Sequence, residues 1–314
     1  MKVLVVGMGG VGGYFGGILA RHLLAGPGHE VTFVARGAHL EAIRENGLTL
    51  QTPRGTFQIR PTRAVEDPRD AGPVDLVLLC VKTYDLDEAA AGLGSSAVEG
   101  TLVLPLQNGV AHRERVAAAL PRALVCDACV YVVSSIAAPG VVLQQGSVAE
   151  LAFGDGEKEP SERLLSLARL FDQAGIQGRV SPEIASVVWT KFLFICPFGS
   201  VTSLLNKTVG EVLADPEGRR LVRSIQDEIL SVAAGSGVHL PPGAVDATLE
   251  LAGRLPFDTR PTLQRDLQAG RRNELDALCG EVARRARVQG SEAPVSERIY
   301  RELRLRSRSE TSNA

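Results

Sequence analysis

The sequence predicts an α/β domain built on a parallel sheet, followed by an all-helical domain, with the boundary near residue 180. Three observations support this fold class. In the first half, apolar runs alternate with helical patterns, which is typical of a parallel sheet covered by helices on both faces. After residue 180, strand patterns are nearly absent and long helical patterns dominate. The length of 314 residues also suits two domains, here 1–180 and 181–314.

The apolar periodicity places the individual elements. The predicted strands of the first domain are KVLVV, EVTFVA, DLVLLCV, TLVLPL and ALVCDACVYVV. A weaker pattern at 47–60 predicts a hairpin or irregular strands, and a hairpin-like pattern at 140–156 predicts further strands at the far edge of the sheet. The clearest helical patterns cover residues 10–24, 110–120, 217–234, 244–255 and 273–288.

The charge balance argues against a protein that binds nucleic acid or a membrane surface. The formal net charge is -2, and there is no basic footprint of the kind that such partners require. Neither a signal peptide nor a membrane-spanning run is predicted. We therefore expect a cytoplasmic protein with a small-molecule partner, and the apolar helical domain favours a homodimer.

The five cysteines favour a reducing compartment. Cys126 and Cys129 form a CxxC, a spacing that occurs in redox pairs and in zinc sites. No second CxxC and no suitably spaced histidine accompany them, and an odd spacing within a strand directs two side chains to opposite faces. We therefore predict two buried structural thiols and no metal site.

The stretch VLVVGMGGVGG places a GxGxxG pattern between the first strand and the first helix. In this position Gly7 allows a tight turn, Gly9 lets the backbone approach a pyrophosphate, and Gly12 lets the helix pack closely on the strand. Gly10 and Val11 complete the predicted pyrophosphate-binding segment, because the helix N-terminus attracts anions. The pattern in this context predicts a Rossmann-type dinucleotide-binding domain. The alternative is a glycine-rich packing turn without a ligand.

The end of the second strand indicates which dinucleotide binds. NAD-binding domains usually carry an acidic residue there, which hydrogen-bonds the ribose hydroxyls. This chain has Arg36 instead, and a guanidinium matches a 2′-phosphate in charge and in geometry. We therefore predict NADPH as the cofactor. The alternative is that Arg36 is an ordinary exposed arginine.

Further motifs follow in a definite order: VARGAHLEAIRENGL, VKTYDL, LQNGV, WTKFLF and TLQRDLQAGRRNELDAL. With them the chain resembles the ketopantoate reductase (2-dehydropantoate 2-reductase) family over nearly its whole length. The resemblance implies a Rossmann domain joined to a helical domain. It also implies that a 2-oxo acid is reduced by NADPH in the cleft between the two domains.

The resemblance also implies roles for individual residues. Lys82 and Asn108 would lie near the nicotinamide ribose, and Asn108 would also contact the substrate. Lys191 matches the general acid of the family, and Glu274 matches its acidic active-site residue that helps to hold the substrate. Thr262 stands where the family has a substrate-binding serine. From the residues alone, Lys82 could instead be a solvated loop lysine, and the QNG around Asn108 could be a simple turn. Glu274 could serve only to favour a helix N-terminus.

Lys191 lies within SPEIASVVWTKFLFICPFGS, an apolar run predicted as a helix that begins at Ser181 and Pro182. An ammonium there either reaches water along its own stem or donates a proton in catalysis. The family usually has asparagines four and eight positions later, where this chain has Ile195 and Gly199. The resemblance implies reduction of 2-dehydropantoate, but without these two asparagines the reduction of a 2-oxo acid is better supported than that particular substrate. The alternatives are another branched or aromatic 2-oxo acid, or a non-catalytic NADPH sensor.

Overall fold

The computed structural model describes residues 1–311, with side chains through Ser307. These residues form two compact units. The N-terminal unit consists of Met1–Gln107 and His112–Ile184, and the C-terminal unit consists of Asn108–Ala111 and the chain from Ala185 onward. The predicted fold class is confirmed, because a parallel α/β sheet lies in the first unit and helices make up the second.

The N-terminal unit contains eleven strands in its described residues, numbered in chain order. They are β1 Lys2–Val6, β2 Glu30–Val34, β3 Leu48–Thr52, β4 Gly55–Ile59, β5 Arg63–Val65, β6 Leu76–Leu79, β7 Leu102–Pro105, β8 Leu124–Val125, β9 Asp127–Ala138, β10 Val141–Gly154 and β11 Gln177–Val180. Six of them form a parallel sheet in the order β5–β2–β1–β6–β7–β8. This order reverses direction beside β1, which is where such sheets bind dinucleotides.

The helices are α1 Gly10–Leu23, α2 Gly37–Asn46, α3 Leu86–Gly92, α4 His112–Ala119, α5 Glu162–Ala174, α6 Ile184–Leu205, α7 Val209–Ala214, α8 Pro216–Gly235, α9 Ala244–Gly253, α10 Thr262–Gln268, α11 Cys279–Gln289 and α12 Pro294–Thr311. Two predicted helices differ from these bounds. The helix predicted from Ser181 begins at Ile184, after a turn. The helix predicted over 273–288 is divided into a 3₁₀ turn, Leu275–Ala277, and α11.

The remaining strands form a second sheet that the sequence analysis did not separate from the first. Its order is β11–β10–β3–β4, and β9 pairs antiparallel with β10. Of the two alternatives at 47–60, a hairpin or irregular strands, the structure has the hairpin, β3–β4. The prediction of a hairpin at 140–156 on the edge of the parallel sheet is wrong, since β10 is one long strand of the second sheet. Its three-residue bulge at Gly146–Val148, where turn residues suggest a hairpin, explains the error.

The run ALVCDACVYVV is two strands rather than one. Its first part, β8, pairs with β7, and the Cys126 N–H donates to the Val103 carbonyl at 3.1 Å. From Asp127 onward the chain pairs with β10 in the second sheet. Cys126 and Cys129 are buried thiols outside any disulfide, as predicted. Burial raises the pKa of Cys126 to about 12, so this thiol stays protonated and unreactive.

Helix α1 lies between the two sheets, and glycines let it approach both of them. A Cβ atom at Gly16 would lie 2.6 Å from the side chain of Val5 in β1. A Cβ atom at Gly13 would lie 2.5 Å from the side chain of Val142 in β10. Both distances are too short for carbon atoms, so the glycines are required by close packing on either side.

The long helix α6 carries Lys191 and runs through the core of the C-terminal unit. By length and composition it is the one helix of the described residues that could cross a membrane. However, 67% of its most apolar stretch is buried inside the protein. A helix that is apolar on most sides is also typical of a protein core.

Helix α12 is fixed at its N-terminus by a buried carboxylate from α8. Glu228 is 9% exposed. It accepts hydrogen bonds from the backbone N–H groups of Val295 and Ser296, at 2.7 and 2.9 Å, and from the Ser296 hydroxyl at 2.6 Å. The first N–H groups of a helix have no partner within the helix. The negative charge also favours the positive end of the helix dipole.

We expect Glu228→Gln to lower the free energy of unfolding by about 2 kcal/mol, because an amide nitrogen cannot accept these hydrogen bonds and the charge is lost. Urea denaturation measures the change. The matched control is Asp227→Asn on the same helix, where an exposed carboxylate pairs with Arg223. We expect a change within about 0.5 kcal/mol for this control. Equal effects of the two variants would contradict the capping role of Glu228.

Candidate functional site

The glycine turn after β1 is hydrogen-bonded to both neighbouring strands. The N–H of Gly7 donates to the carbonyl of Val34, at the end of β2, at 3.0 Å. On the other side, the N–H of Cys80 donates to the carbonyl of Val6 at 2.7 Å. The carboxyl ends of β1, β2 and β6 therefore meet at one edge of the sheet, where open α/β sheets bind their ligands.

Arg36 and Lys82 each follow one of these strand ends, and both side chains are exposed. Arg36 lies two residues after β2, directly before α2, and its side chain is 63% exposed. Its guanidinium lies 3.7 Å from the carboxylate of Glu88. Lys82 precedes a short 3₁₀ turn after β6. The structure thus brings the predicted Gly7, Arg36 and Lys82 to a single edge of the sheet.

The glycines of the turn differ in what surrounds them. Gly7 has a φ angle of +93°, which other residues rarely adopt. A Cβ atom at Gly12 would collide with the carbonyl oxygen of Gly7, and one at Gly10 would collide with the carbonyl oxygen of Ser134. At Gly9, in contrast, no atom of the described residues lies within 4 Å of the Cβ position. The fold therefore requires three of these glycines, whereas Gly9 faces open space.

This open space lies at the N-terminus of a long helix. Helix α1 has 14 residues, no side-chain cap from the described residues and no acidic residue in its first turn. The first N–H groups of a helix favour negative charge. An open approach and unopposed positive polarity fit the pyrophosphate of a dinucleotide. Val11 lies in this first turn and is half-buried.

Strand β9 also borders the glycine turn, and the β9–β10 turn is hydrogen-bonded to α2, neither of which the sequence predicts. Ser134 of β9 lies against Gly10, as noted above. The N–H of Gly140 donates to Nδ1 of His39, on α2, at 3.0 Å. Burial lowers the pKa of His39, although the backbone at Met8 acts in the opposite direction. The neutral ring that results is the form that can accept this hydrogen bond.

The LQNGV motif links β7 to the C-terminal unit. Gln107 is buried, and its Nε2 donates to the carbonyl of Leu79, at the end of β6, at 2.9 Å. The next four residues, Asn108–Ala111, belong to the C-terminal unit. Asn108 is therefore grouped with Lys191, Glu274 and Thr262 rather than with the glycine turn.

Helix α10 is joined to the end of α6 by a buried amide. Nε2 of Gln264 donates to the carbonyls of Thr202 and Lys207, each at 3.1 Å. Thr262 is the first residue of this short helix and is exposed. Thr262, a predicted substrate-binding residue, therefore lies on α10, which is hydrogen-bonded to α6, the helix that carries Lys191.

A second contact brings the Glu274 segment to the same helix. Gly199 on α6 is buried, and a Cβ atom there would lie 3.6 Å from Leu278 and 3.7 Å from Leu263. Glu274 precedes Leu278 by four residues and is 7% exposed. The side-chain oxygen of Asn273 accepts a hydrogen bond from the N–H of Leu275 at 3.2 Å. Segments that carry Thr262 and Glu274 therefore pack on α6.

Lys191 is half-buried on α6. Ile195 and Gly199 follow it at intervals of four residues, so the three positions lie along one face of the helix. Ile195 is half-buried as well. Beyond the ammonium, this face is therefore apolar, and the two positions expected to hold asparagines offer no polar side chain.

Two family models match the chain. The model described as "Ketopantoate reductase PanE/ApbA" matches residues 3–158. The model described as "Ketopantoate reductase PanE/ApbA C terminal" matches residues 183–307. Together they include the glycine turn, Arg36 and Lys82 in the first match, and Lys191, Thr262 and Glu274 in the second.

Curated relatives and solved structures cover the same length. A 2-dehydropantoate 2-reductase from Halobacterium salinarum is 30% identical over 309 residues, which cover 98% of this chain and 99% of the relative. A PanE/ApbA family ketopantoate reductase from Ralstonia eutropha JMP134 has a TM-score of 0.90 at 31% identity, with coverage of 99% and 100%. A D-mandelate dehydrogenase, solved with NADH and anilino(oxo)acetate, has a TM-score of 0.87 and coverage of 98% and 99%, but its identity of 20% supports the fold alone.

We expect Gly9→Ala to leave the melting temperature nearly unchanged but to weaken dinucleotide binding about tenfold or more, because a methyl group would occupy the open approach to the turn. Gly12→Ala is the contrasting variant. It should lower the free energy of unfolding by about 2 kcal/mol, since its methyl group meets the Gly7 carbonyl. Thermal unfolding and calorimetric titration with NADPH measure the two effects. Unaltered NADPH affinity in a folded Gly9→Ala protein would argue against a pyrophosphate site at this turn.

Proposed function

Because the chain belongs to the ketopantoate reductase family, we propose that it reduces 2-dehydropantoate to pantoate with NADPH, a step of pantothenate biosynthesis. Its family makes it an oxidoreductase with a nicotinamide dinucleotide cofactor and a small 2-oxo acid substrate. The choice of NADPH, the particular 2-oxo acid and the roles of individual residues belong to the proposal. Its main support is the half-buried Lys191 on a helix that also contacts the segments of Thr262 and Glu274.

The exposed guanidinium of Arg36 supports NADPH over NADH. It follows the end of β2, whose last residue is bonded to the glycine turn. A 2′-phosphate would gain charge-assisted hydrogen bonds from Arg36, and the guanidinium can make two in parallel. The acidic residue that would repel the phosphate and bind the ribose hydroxyls is not at this position.

The proposed reaction needs a proton donor at the carbonyl oxygen of the substrate. Bound NADPH supplies the hydride, which forms the new C–H bond at C2 of the 2-oxo acid. The carbonyl π electrons then move to oxygen, and the Lys191 ammonium stabilises this charge and donates its proton to form the hydroxyl. Asn108, Thr262 and Glu274 hold the substrate, with Asn108 and Lys82 near the nicotinamide ribose.

The apolar face of α6 favours a second candidate substrate. Ile195 and Gly199 follow Lys191 along one face, and Gly199 packs near Leu263 and Leu278. A wall of this kind suits the hydrocarbon side chain of another branched or aromatic 2-oxo acid.

We also propose a cytoplasmic location, and separate roles for the two domains 1–180 and 181–314. The five cysteines, all within the described residues, form no disulfide, which suits a reducing compartment. The residues proposed to bind the pyrophosphate and the 2′-phosphate lie before this boundary, and the proposed proton donor lies after it.

The proposal is tested by following the oxidation of NADPH with 2-dehydropantoate, a branched 2-oxo acid and an aromatic 2-oxo acid as separate substrates. We expect the highest kcat/KM with 2-dehydropantoate. A higher value with either other acid would support the second candidate. Tight NADPH binding without turnover of any member would overturn the catalytic proposal and favour a sensor.

We expect Lys191→Ala to lower kcat about 100-fold or more, because the substitution removes the proposed proton donor. Its affinity for NADPH, measured by calorimetric titration, should stay the same. The control is Lys207→Ala, which removes the other lysine of the C-terminal unit, an ion-pair partner of Asp215. A Lys191→Ala protein with the turnover of the control would contradict the proposed role of Lys191.

We expect Arg36→Ala to weaken NADPH binding about 30-fold, the equivalent of about 2 kcal/mol from charge-assisted hydrogen bonds. The affinity for NADH should not change, since NADH has no 2′-phosphate. Glu88→Gln is the matched control, because it removes the carboxylate that competes for the guanidinium and should preserve or strengthen NADPH binding. An equal loss of affinity for both dinucleotides in Arg36→Ala would rule out recognition of the 2′-phosphate.

A further inference from the structure

Arg285 on α11 is a buried cation that contacts three separate parts of the C-terminal unit. Only 8% of the Arg285 residue is exposed. Nε donates to the carboxylate of Glu281 at 2.7 Å, Nη1 to the hydroxyl of Ser236 at 3.4 Å, and Nη2 to the backbone carbonyl of Val110 at 3.3 Å. Each nitrogen of the guanidinium therefore has a different partner.

Stability alone is a weak reason for this arrangement. Glu281 is 7% exposed. Burial acts to raise its pKa, but the adjacent guanidiniums of Arg284 and Arg285 lower the pKa overall, which keeps the carboxylate charged. Buried ion pairs contribute little net stability, because well-packed apolar residues of similar size often do as well. What a buried pair does provide is one defined geometry for the groups bonded to it.

The geometry in this case concerns the loop Asn108–Ala111. Gly109 has a φ angle of +118°, and Val110 is 9% exposed. The bond from Arg285 to the Val110 carbonyl fixes the backbone two residues after Asn108. The loop is thus held at a bend that only glycine adopts readily.

Arg285 also contacts the helix of the proposed proton donor. Its Cζ atom lies 5.6 Å from the centre of the Trp189 ring, within the range of a cation–π interaction. Trp189 is 4% exposed and precedes Lys191 on α6 by two residues. One guanidinium therefore touches both the loop of Asn108 and the segment of Lys191.

We propose that Arg285 is a positioning residue that holds the Asn108 loop in fixed relation to the Lys191 segment of α6. This inference rests on the proposed function. A 2-oxo acid bound by Asn108 must present its carbonyl oxygen to the Lys191 ammonium at hydrogen-bond distance. A displacement of about 1 Å at such a site can cost about 100-fold in rate.

The test compares Arg285→Met with Arg284→Gln in NADPH-dependent turnover of the best 2-oxo acid. Arg284 pairs with the same Glu281 carboxylate, but its side chain is 53% exposed. We expect Arg285→Met to lower kcat/KM about 100-fold, with a fall in kcat, while NADPH affinity is unchanged. Arg284→Gln should stay within about twofold of the wild type.

Fluorescence reports on the contact between Arg285 and α6, because Trp189 is the single tryptophan of the chain. Arg285→Met should shift the Trp189 emission, whereas Arg284→Gln should not. If Arg285→Met fails to fold, the double variant Glu281→Leu/Arg285→Met removes both buried charges together and should show the same loss of kcat. Wild-type turnover in a folded variant that lacks Arg285 would overturn the inference and leave the proposed function intact. A wild-type protein without turnover would overturn both.

Discussion

The close packing of α1 between two sheets is the constraint on which the proposed dinucleotide site depends. Gly16 leaves room for the side chain of Val5 on one side, and Gly13 leaves room for that of Val142 on the other. This packing fixes the direction of the helix and therefore the point at which its N-terminus meets the glycine turn. Gly12 packs directly against the Gly7 carbonyl, so the close packing of the helix extends into the turn. The open space at Gly9 results from a helix that cannot shift toward it.

The N-terminal parallel sheet could be predicted from the sequence because each strand is a short apolar run followed by a helical pattern. The second sheet could not. Strand β9 continues from β8 after one residue, Cys126, within an unbroken apolar run, so periodicity shows no change of sheet. In the same way, the abundance of glycine around Gly13 and Gly16 is visible in the sequence, but the second packing surface that requires it is a property of the folded chain.

Some residues of the candidate site could likewise be predicted from the sequence, and others could not. Lys191 could be found from the sequence because it is one charge in an apolar run, and such a charge needs a partner or a function. Arg285 could not, because it stands in EVARRARVQG among other arginines. The fold separates Arg285, which is buried, from Arg284, which is half-exposed. The β9–β10 turn near Gly10 and His39 was likewise unpredictable, since its pairing is long-range.

We infer that this chain catalyses hydride transfer to C2 of a 2-oxo acid, and isotope labelling follows the transferred atom itself. Wild-type protein is supplied with 2-dehydropantoate and with NADPH that carries deuterium at the transferable C4 position. Mass spectrometry of the hydroxy acid should then show the label at C2, in step with the oxidation of the cofactor. Oxidation of NADPH without label in the hydroxy acid would contradict the claim.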